Sequence, residues 1–154
     1  MLVTSHLLVG AVIGSLFSSW PPVVVIAFFS HFVLDAIPHT ESSTFRPIAE
    51  RSSIKKIDYL IALIDFIFGF LILGLIFFRK GDYFLPFLGA IFAIVPDLDN
   101  LSFLYRYFQN LPIFKQLYQV HIFLHFDLKT KYWPIGIVTQ LIIIGVVIWW
   151  LLPK

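Results

Sequence analysis

The sequence predicts an all-α protein, a polytopic bundle of membrane helices that opens with a short helical hairpin, built as one domain over residues 1–154. Three observations predict it. The chain is 59% hydrophobic and 13% charged, with mean hydropathy +0.90, whereas a soluble domain carries about 25% charged residues. A chain of 154 residues keeps much of its surface exposed on folding, so burial alone cannot hide this much Phe, Ile and Leu, and the remaining solvent is lipid. Several apolar segments are also long enough to enter or cross a bilayer.

The elements follow in order. Thr4 or Ser5 can cap a first helix over 6–18, which Trp20-Pro21-Pro22 breaks. A second helix over 22–37 ends at Pro38. At ~1.5 Å per residue each is ~20–24 Å long, short of the ~30 Å hydrocarbon core, so the pair reads as a hairpin that enters the membrane without comfortably spanning it. Gly10 and Gly14 form a small-xxx-small face that lets the partner helix approach closely. Residues 39–56 form the polar stretch, with Glu41, Arg46, Glu50, Arg51, Lys55 and Lys56, and read as a loop on one membrane face. A third helix over 57–78 is long enough to span. Arg79-Lys80-Gly81-Asp82 turns the chain on the far side, and a fourth helix over 83–105 returns it. A mixed segment holds a shorter helix around 113–127. A last helix over 132–152 spans again and ends in Trp149-Trp150, an interfacial anchor.

Composition excludes some functions. There are no cysteines, which removes disulfides and thiolate metal sites. The net charge of +2 is too small to argue for a nucleic-acid partner. No Lys or Arg precedes the first apolar run and no small-x-small cleavage site follows it, so the first segment reads as part of the mature protein.

This topology gathers the unusual residues. His6 starts the first helix; His31, Asp35 and His39 stand at the end of the second; Asp58 opens the third, with Asp65 two turns deeper; Asp97-Leu98-Asp99 falls near the end of the fourth; His121 and His125 follow. His31 and Asp35 are four apart and share a helix face, as do His121 and His125. Ionisable residues in apolar helices are costly unless paired, and they mark function by default. A plain structural reading stands beside each: a hydrogen-bonded pair for His31 with Asp35, a turn for Asp97-Leu98-Asp99, a protonated buried carboxyl for Asp65. A divalent cation explains the whole set most simply, because imidazole and carboxylate suit Zn²⁺, Mn²⁺ or Fe²⁺ and the ion offsets the massing of buried acids. An open coordination position would hold water and lower its pKa towards ~7, a nucleophile that a nearby carboxylate could deprotonate.

Orientation follows from the basic residues. Arg46, Arg51, Lys55, Lys56, Arg106, Lys115, Lys129 and Lys131 fall on the clustered side, against Arg79, Lys80 and Lys154 on the other, which points the cluster to the cytoplasm of a multi-pass cell-membrane protein.

Thr4-Ser5-His6-Leu7-Leu8-Val9-Gly10, Val95-Pro96-Asp97-Leu98-Asp99 and the late histidine pair resemble the LexA-regulated, membrane-bound metal-dependent hydrolase family of bacterial inner membranes, itself similar to the zinc-dependent phospholipase C group. The resemblance covers about residues 4–126. It implies an all-helical membrane hydrolase with His6, Asp97, His121 and His125 as ligands and Asp99 as the second motif carboxylate. The late pair reads His-Ile-Phe-Leu-His where the family has a different wording, and His31, Asp35, Pro38 and His39 look more like the His/Asp ligand run of the phospholipase group.

The reading that results is a metal-dependent hydrolase acting on phosphoesters or phospholipids at the cytoplasmic membrane face, with membrane lipid or another amphiphilic phosphoester as its partner. The metal ligands are His6, His31, Asp35, Asp97, His121 and His125, with His39 as a further ligand or partner and Asp65 or Asp99 as acid–base carboxylates. The ligand count allows two ions. The alternatives are a cation or proton transporter, whose path would need polar residues across the whole depth, and a non-enzymatic membrane protein with a closed structural metal site.

Overall fold

The computed structural model describes residues 1–45, 55–77, 83–100, 111–126 and 128–151, without the side chains of Ser42, Asp99 and Asn100. Arg46, Glu50, Arg51, Arg79, Lys80, Asp82, Arg106 and Lys154 lie outside the described residues. Among those described are six α-helices and no strand: α1 Val3–Leu16, α2 Trp20–Asp35, α3 Lys56–Phe77, α4 Phe84–Ile94, α5 Pro112–Leu124 and α6 Trp133–Leu151. Short 3₁₀ turns lie at Ser42–Phe45, Val95–Asn100 and Thr130–Tyr132.

The helix starts and stops follow local chemistry. α2 begins earlier than expected because Pro21 and Pro22 sit in its first turn, where no N–H is needed. α4 ends at Ile94, not at 105, and the chain tightens into the 3₁₀ turn Val95–Asn100. Pro96 is the physical reason: it offers no N–H to the helix ladder and its ring crowds the preceding turn. With 11 residues, α4 is ~16 Å long, too short to be the returning span that the sequence predicted.

Among the described residues, only α3 and the segment Thr130–Leu151, which contains α6, are long and apolar enough to cross a membrane. Each has 22 residues, or ~33 Å of helix, against a hydrocarbon core of ~30 Å. Both expose apolar side chains along much of their length, including Ile64, Leu71 and Leu75 of α3 and Leu141, Ile142 and Val146 of α6. A contiguous apolar surface of this kind marks a face for lipid or for a partner. Trp149 and Trp150 are exposed at the end of α6.

α1 is the hub and touches α2, α3, α4 and α6. Leu7, Leu8 and Ala11 join Leu73, Ile76 and Phe77 of α3, Ala90 of α4 and Val147 and Leu151 of α6 in the main apolar core. The glycine face of α1 turns to α4, not to its hairpin partner α2. A Cβ on Gly10 would meet the Gly89 carbonyl oxygen, and one on Gly14 would meet the Leu85 carbonyl. The two backbones therefore pass in direct contact, as small residues permit.

The N-terminus of α1 is held by other helices instead of by its own Thr4 or Ser5. Its N-cap residue is Leu2, without a side-chain cap. The orphan N–H groups of a helix start need acceptors. Leu2 N–H donates to Gln140 Oε1 of α6 at 2.9 Å, and Thr4 N–H donates to Asp65 Oδ2 of α3 at 3.1 Å. The Thr4 hydroxyl adds a 2.7 Å bond to Asp65 Oδ1.

Candidate metal centre

Four helix ends meet where α1 begins, α2 ends, α4 passes into its 3₁₀ turn and α5 ends. Each delivers an imidazole or a carboxylate. His31 and Asp35 lie one turn apart on α2, and His31 Nε2 is 3.1 Å from Asp35 Oδ2. His121 Nε2, from α5, is 3.2 Å from that same oxygen and 3.4 Å from His31 Nε2. Asp97 Oδ1, from the turn after α4, is 3.7 Å from His31 Nε2 and 4.0 Å from His121 Nε2. Together His31, Asp35, Asp97 and His121 present one ligand atom each, all within 4.8 Å of one another. Donors held at ~2.0–2.2 Å by a tetrahedral ion stand about 3.4 Å apart, so the set already has the spacing of a coordination shell.

The imidazoles are aimed by the main chain. His31 Nδ1 donates to the Ala93 carbonyl at 2.9 Å, because a carbonyl can only accept. That leaves Nε2 to face the carboxylates and the second imidazole. A hydrogen bond at the far ring nitrogen is the usual way a ligating histidine is fixed in tautomer and orientation. α5 is tied in by its exit: Phe126 N–H donates to the Asp35 carbonyl at 2.9 Å.

His6 stands beside this group, not within it. Its ring stacks on His31 with centroids 4.2 Å apart, and its Nε2 is 3.2 Å from Asp35 Oδ1. It is fully buried, and neither ring nitrogen has a hydrogen bond of sound geometry. An unsatisfied buried polar group costs ~1–3 kcal/mol. An imidazole orphaned beside a buried carboxylate is what a cation-binding donor set looks like in protein atoms alone, so these residues fit a divalent ion.

Asp35 also belongs to a second group, with His39 and His125, whose ligand atoms again lie within 4.8 Å of one another. His39 follows α2, and its position is riveted to α6. Gly136 leaves room for it, since a Cβ there would meet Thr40 and the His39 carbonyl carbon. Thr139 donates to the Pro38 carbonyl, and Gln140 Nε2 donates to the Thr40 carbonyl at 3.1 Å. His39 Nδ1 donates to the Ile37 carbonyl at 2.8 Å, which turns its Nε2 to Glu41 Oε1 at 3.0 Å. His125 Nε2 reaches the same oxygen at 2.7 Å. The amino group of Met1 lies 2.9 Å from Asp35 Oδ1 and 3.3 Å from Glu41 Oε1. Burial alone would raise the Glu41 carboxyl. The Met1 ammonium and the hydrogen bonds from His125 and His39 outweigh that and hold Glu41 well below the usual carboxylate range, so it is ionised at neutral pH.

The sequence-predicted site residues thus fall into two groups that share Asp35, with His6 beside them and Asp65 apart. His31, Asp35, Asp97 and His121 share one group; Asp35, His39 and His125 share the other. The late pair stays one turn apart, with His125 N–H donating to the His121 carbonyl at 3.0 Å and the two rings 6.0 Å apart, yet His121 Nε2 meets Asp35 and His31 while His125 Nε2 meets Glu41. Asp65 belongs to neither group: both its carboxylate oxygens take bonds from Thr4, which gives it the work of holding α1. The Asp99 side chain lies outside the described residues. Glu41 is the site residue that sequence reasoning left in the polar loop. Its signal was its place two residues after His39. No family model, curated protein or solved structure matches the chain.

Proposed function

We propose that this chain is a membrane-bound, metal-dependent hydrolase that cleaves phosphoesters, lipid or otherwise amphiphilic, at the cytoplasmic face of a cell membrane. The observation that carries the reading is the meeting of His31, Asp35, Asp97 and His121 from three separate segments at coordination spacing. Their mix of imidazole and carboxylate suits Zn²⁺ first, with Mn²⁺ or Fe²⁺ as alternatives. Asp35 stands in both ligand groups, so two ions, if bound, would share it, and paired ions suit phosphoester hydrolysis. When bound, such an ion supplies Lewis acidity towards a phosphoryl oxygen and offsets its charge. The protein's own part is to fix the donors, through the Ala93 and Ile37 carbonyls, and to leave one side open at Asp97, whose side chain is 31% exposed.

The membrane reading is supported by α3 and α6, and the cytoplasmic orientation by Lys55, Lys56, Lys129 and Lys131, exposed where those two segments begin. Kinship with the LexA-regulated hydrolases is supported by His6, Asp97, His121 and His125 standing at the two groups or beside them; Asp99, two residues after Asp97 in the sequence, is the carboxylate that the resemblance offers for acid–base work.

The test uses the full chain purified in detergent, stripped by a chelator and reloaded with Zn²⁺, Mn²⁺ or Fe²⁺. With at least one ion it is expected to hydrolyse bis(p-nitrophenyl) phosphate or a short-chain phospholipid, and His121→Gln is expected to remove that turnover. Metal-loaded protein that cleaves neither substrate with any ion would sink the hydrolase reading and leave a structural site.

A further inference from the structure

α5 is held by little of the protein. It has 13 residues, of which His121 alone is buried, and its main neighbours are α2 and the 3₁₀ turn after α4. A helix of ~12–15 residues is marginal in water by itself and gains its stability by covering an apolar face. Yet α5 and its C-cap carry both late imidazoles to the centre, so whatever covers the rest of the helix decides how firmly those donors are held.

Three stripes run along it. Phe114, Tyr118 and His121 turn to the protein and are half-buried or buried. Ile113, Leu117, Val120 and Leu124 keep the same helical spacing about a quarter-turn round, and all four are exposed. Lys115 and Gln119 lie on the other flank, exposed as well. In the last turn Ile122 and Phe123 join the exposed apolar set. One flank on protein, one apolar and one polar suit a helix lying where an apolar layer meets water.

We infer that α5 lies in the headgroup–acyl boundary of the bilayer, with Ile113, Leu117, Val120 and Leu124 towards the tails and Lys115 and Gln119 towards water, and that this lipid contact holds His121 and His125 at the metal centre. The inference rests on α3 and Thr130–Leu151 crossing the bilayer, and not on hydrolysis. Depth argues for lipid as the covering layer. Leu2 N–H bonds Gln140, two turns in from Trp133, and Thr4 bonds Asp65, two turns in from Asp58. Two turns are ~10 Å, so both spans set the start of α1 about that far inside their polar ends. The centre lies beside it: the Met1 amino group is 2.9 Å from Asp35, and His121 reaches the same carboxylate. The end of α5 is therefore sunk to about the ~5–10 Å of an interfacial helix, and what surrounds the spans surrounds its last turn, which is apolar on its outward sides.

The chain has no cysteine, so single introduced cysteines can each carry a bimane fluorophore. The full chain is reconstituted in vesicles of phosphatidylcholine brominated near the headgroup end of one tail, with iodide as the quencher from water. Bromolipid is expected to quench labels on Leu117→Cys and Val120→Cys about as fully as on Leu71→Cys of α3, and iodide to quench Gln119→Cys. Leu117→Glu should speed extraction of the metal by a chelator about tenfold, the effect of withdrawing roughly half a leucine side chain from an apolar layer. Gln119→Glu puts the same charge on the water flank and should leave extraction unchanged. Iodide quenching at Leu117 and Val120, shielding of both from either quencher by a second copy or another protein, or equal extraction from Leu117→Glu and the unaltered chain would each overturn the inference. Quenching requires no turnover. A lipid-quenched stripe in a protein that cleaves nothing defeats the hydrolase reading alone. Turnover with the stripe in water and Leu71 in lipid defeats the interfacial helix alone, and Leu71 in water defeats the membrane reading together with it.

Discussion

Asp35→Asn is expected to empty both ligand groups at once. The substitution keeps side-chain volume and removes the charge. Asp35 lies within 3.2 Å of His6, His31 and His121 and is the residue common to both groups. Loss of a partner that merely orients a ligand costs ~10–100-fold in metal affinity, so loss of this shared carboxylate should exceed that range. Metal analysis of the purified variant, with a chromogenic chelator as competitor, reads the effect. His125→Gln and His121→Gln serve as the comparison. The first touches only the group at Glu41 and should leave the other ion bound; the second should do the reverse. Equal metal content in Asp35→Asn and the unaltered chain would show that the carboxylate is not shared by bound ions.

The second large effect concerns the scaffold. Gly10→Ala adds one methyl where the α1 backbone lies against the Gly89 carbonyl and Ala93. Neither neighbour is the movable end of a flexible side chain, so the helices must separate. Overpacking costs ~1–3 kcal/mol in ordinary cores, and the upper end applies here, about 6–12 °C in Tm for a chain of this size. Gly74→Ala is the control. A Cβ at Gly74 meets nothing within 4 Å, so the same change should be neutral or stabilising by ~0.4–1 kcal/mol. Thermal unfolding in detergent compares the two. α4 also carries the Ala93 carbonyl that orients His31, so Gly10→Ala should weaken metal binding, whereas Gly74→Ala should not. Similar melting of both variants would refute the close crossing of α1 and α4.

Much of this arrangement is legible in the sequence, because apolar run length and i,i+4 spacing are local properties. The third helix falls within a residue of its predicted ends, at Lys56–Phe77, since charge and polar breaks bound it on both sides. His31 with Asp35 is readable for the same reason: one helical turn fixes their approach. What fails is tertiary choice. Gly10 and Gly14 announce a close contact but not its partner, and α4 takes the place expected of α2. His121 and His125 do stay neighbours, with rings 6.0 Å apart, but the sequence does not show that their Nε2 atoms meet different carboxylates, Asp35 and Glu41. Asp65 looks like a protonated buried acid or a catalytic base, but Thr4 reaches it across 61 positions. Glu41 reads as an ordinary loop charge until folding sets it between two imidazoles. Pro96 is the local signal that was available for the break after Ile94.

The central claim is that imidazoles from α2 and α5 coordinate one ion together. X-ray absorption at the metal edge of the detergent-purified chain, taken with its metal content, addresses this directly. The account predicts at least one transition-metal ion per chain, with two or more imidazole ligands at about 2.0–2.1 Å. A chain that carries no such ion after growth and reloading, or whose ion shows an oxygen-only shell, would contradict it.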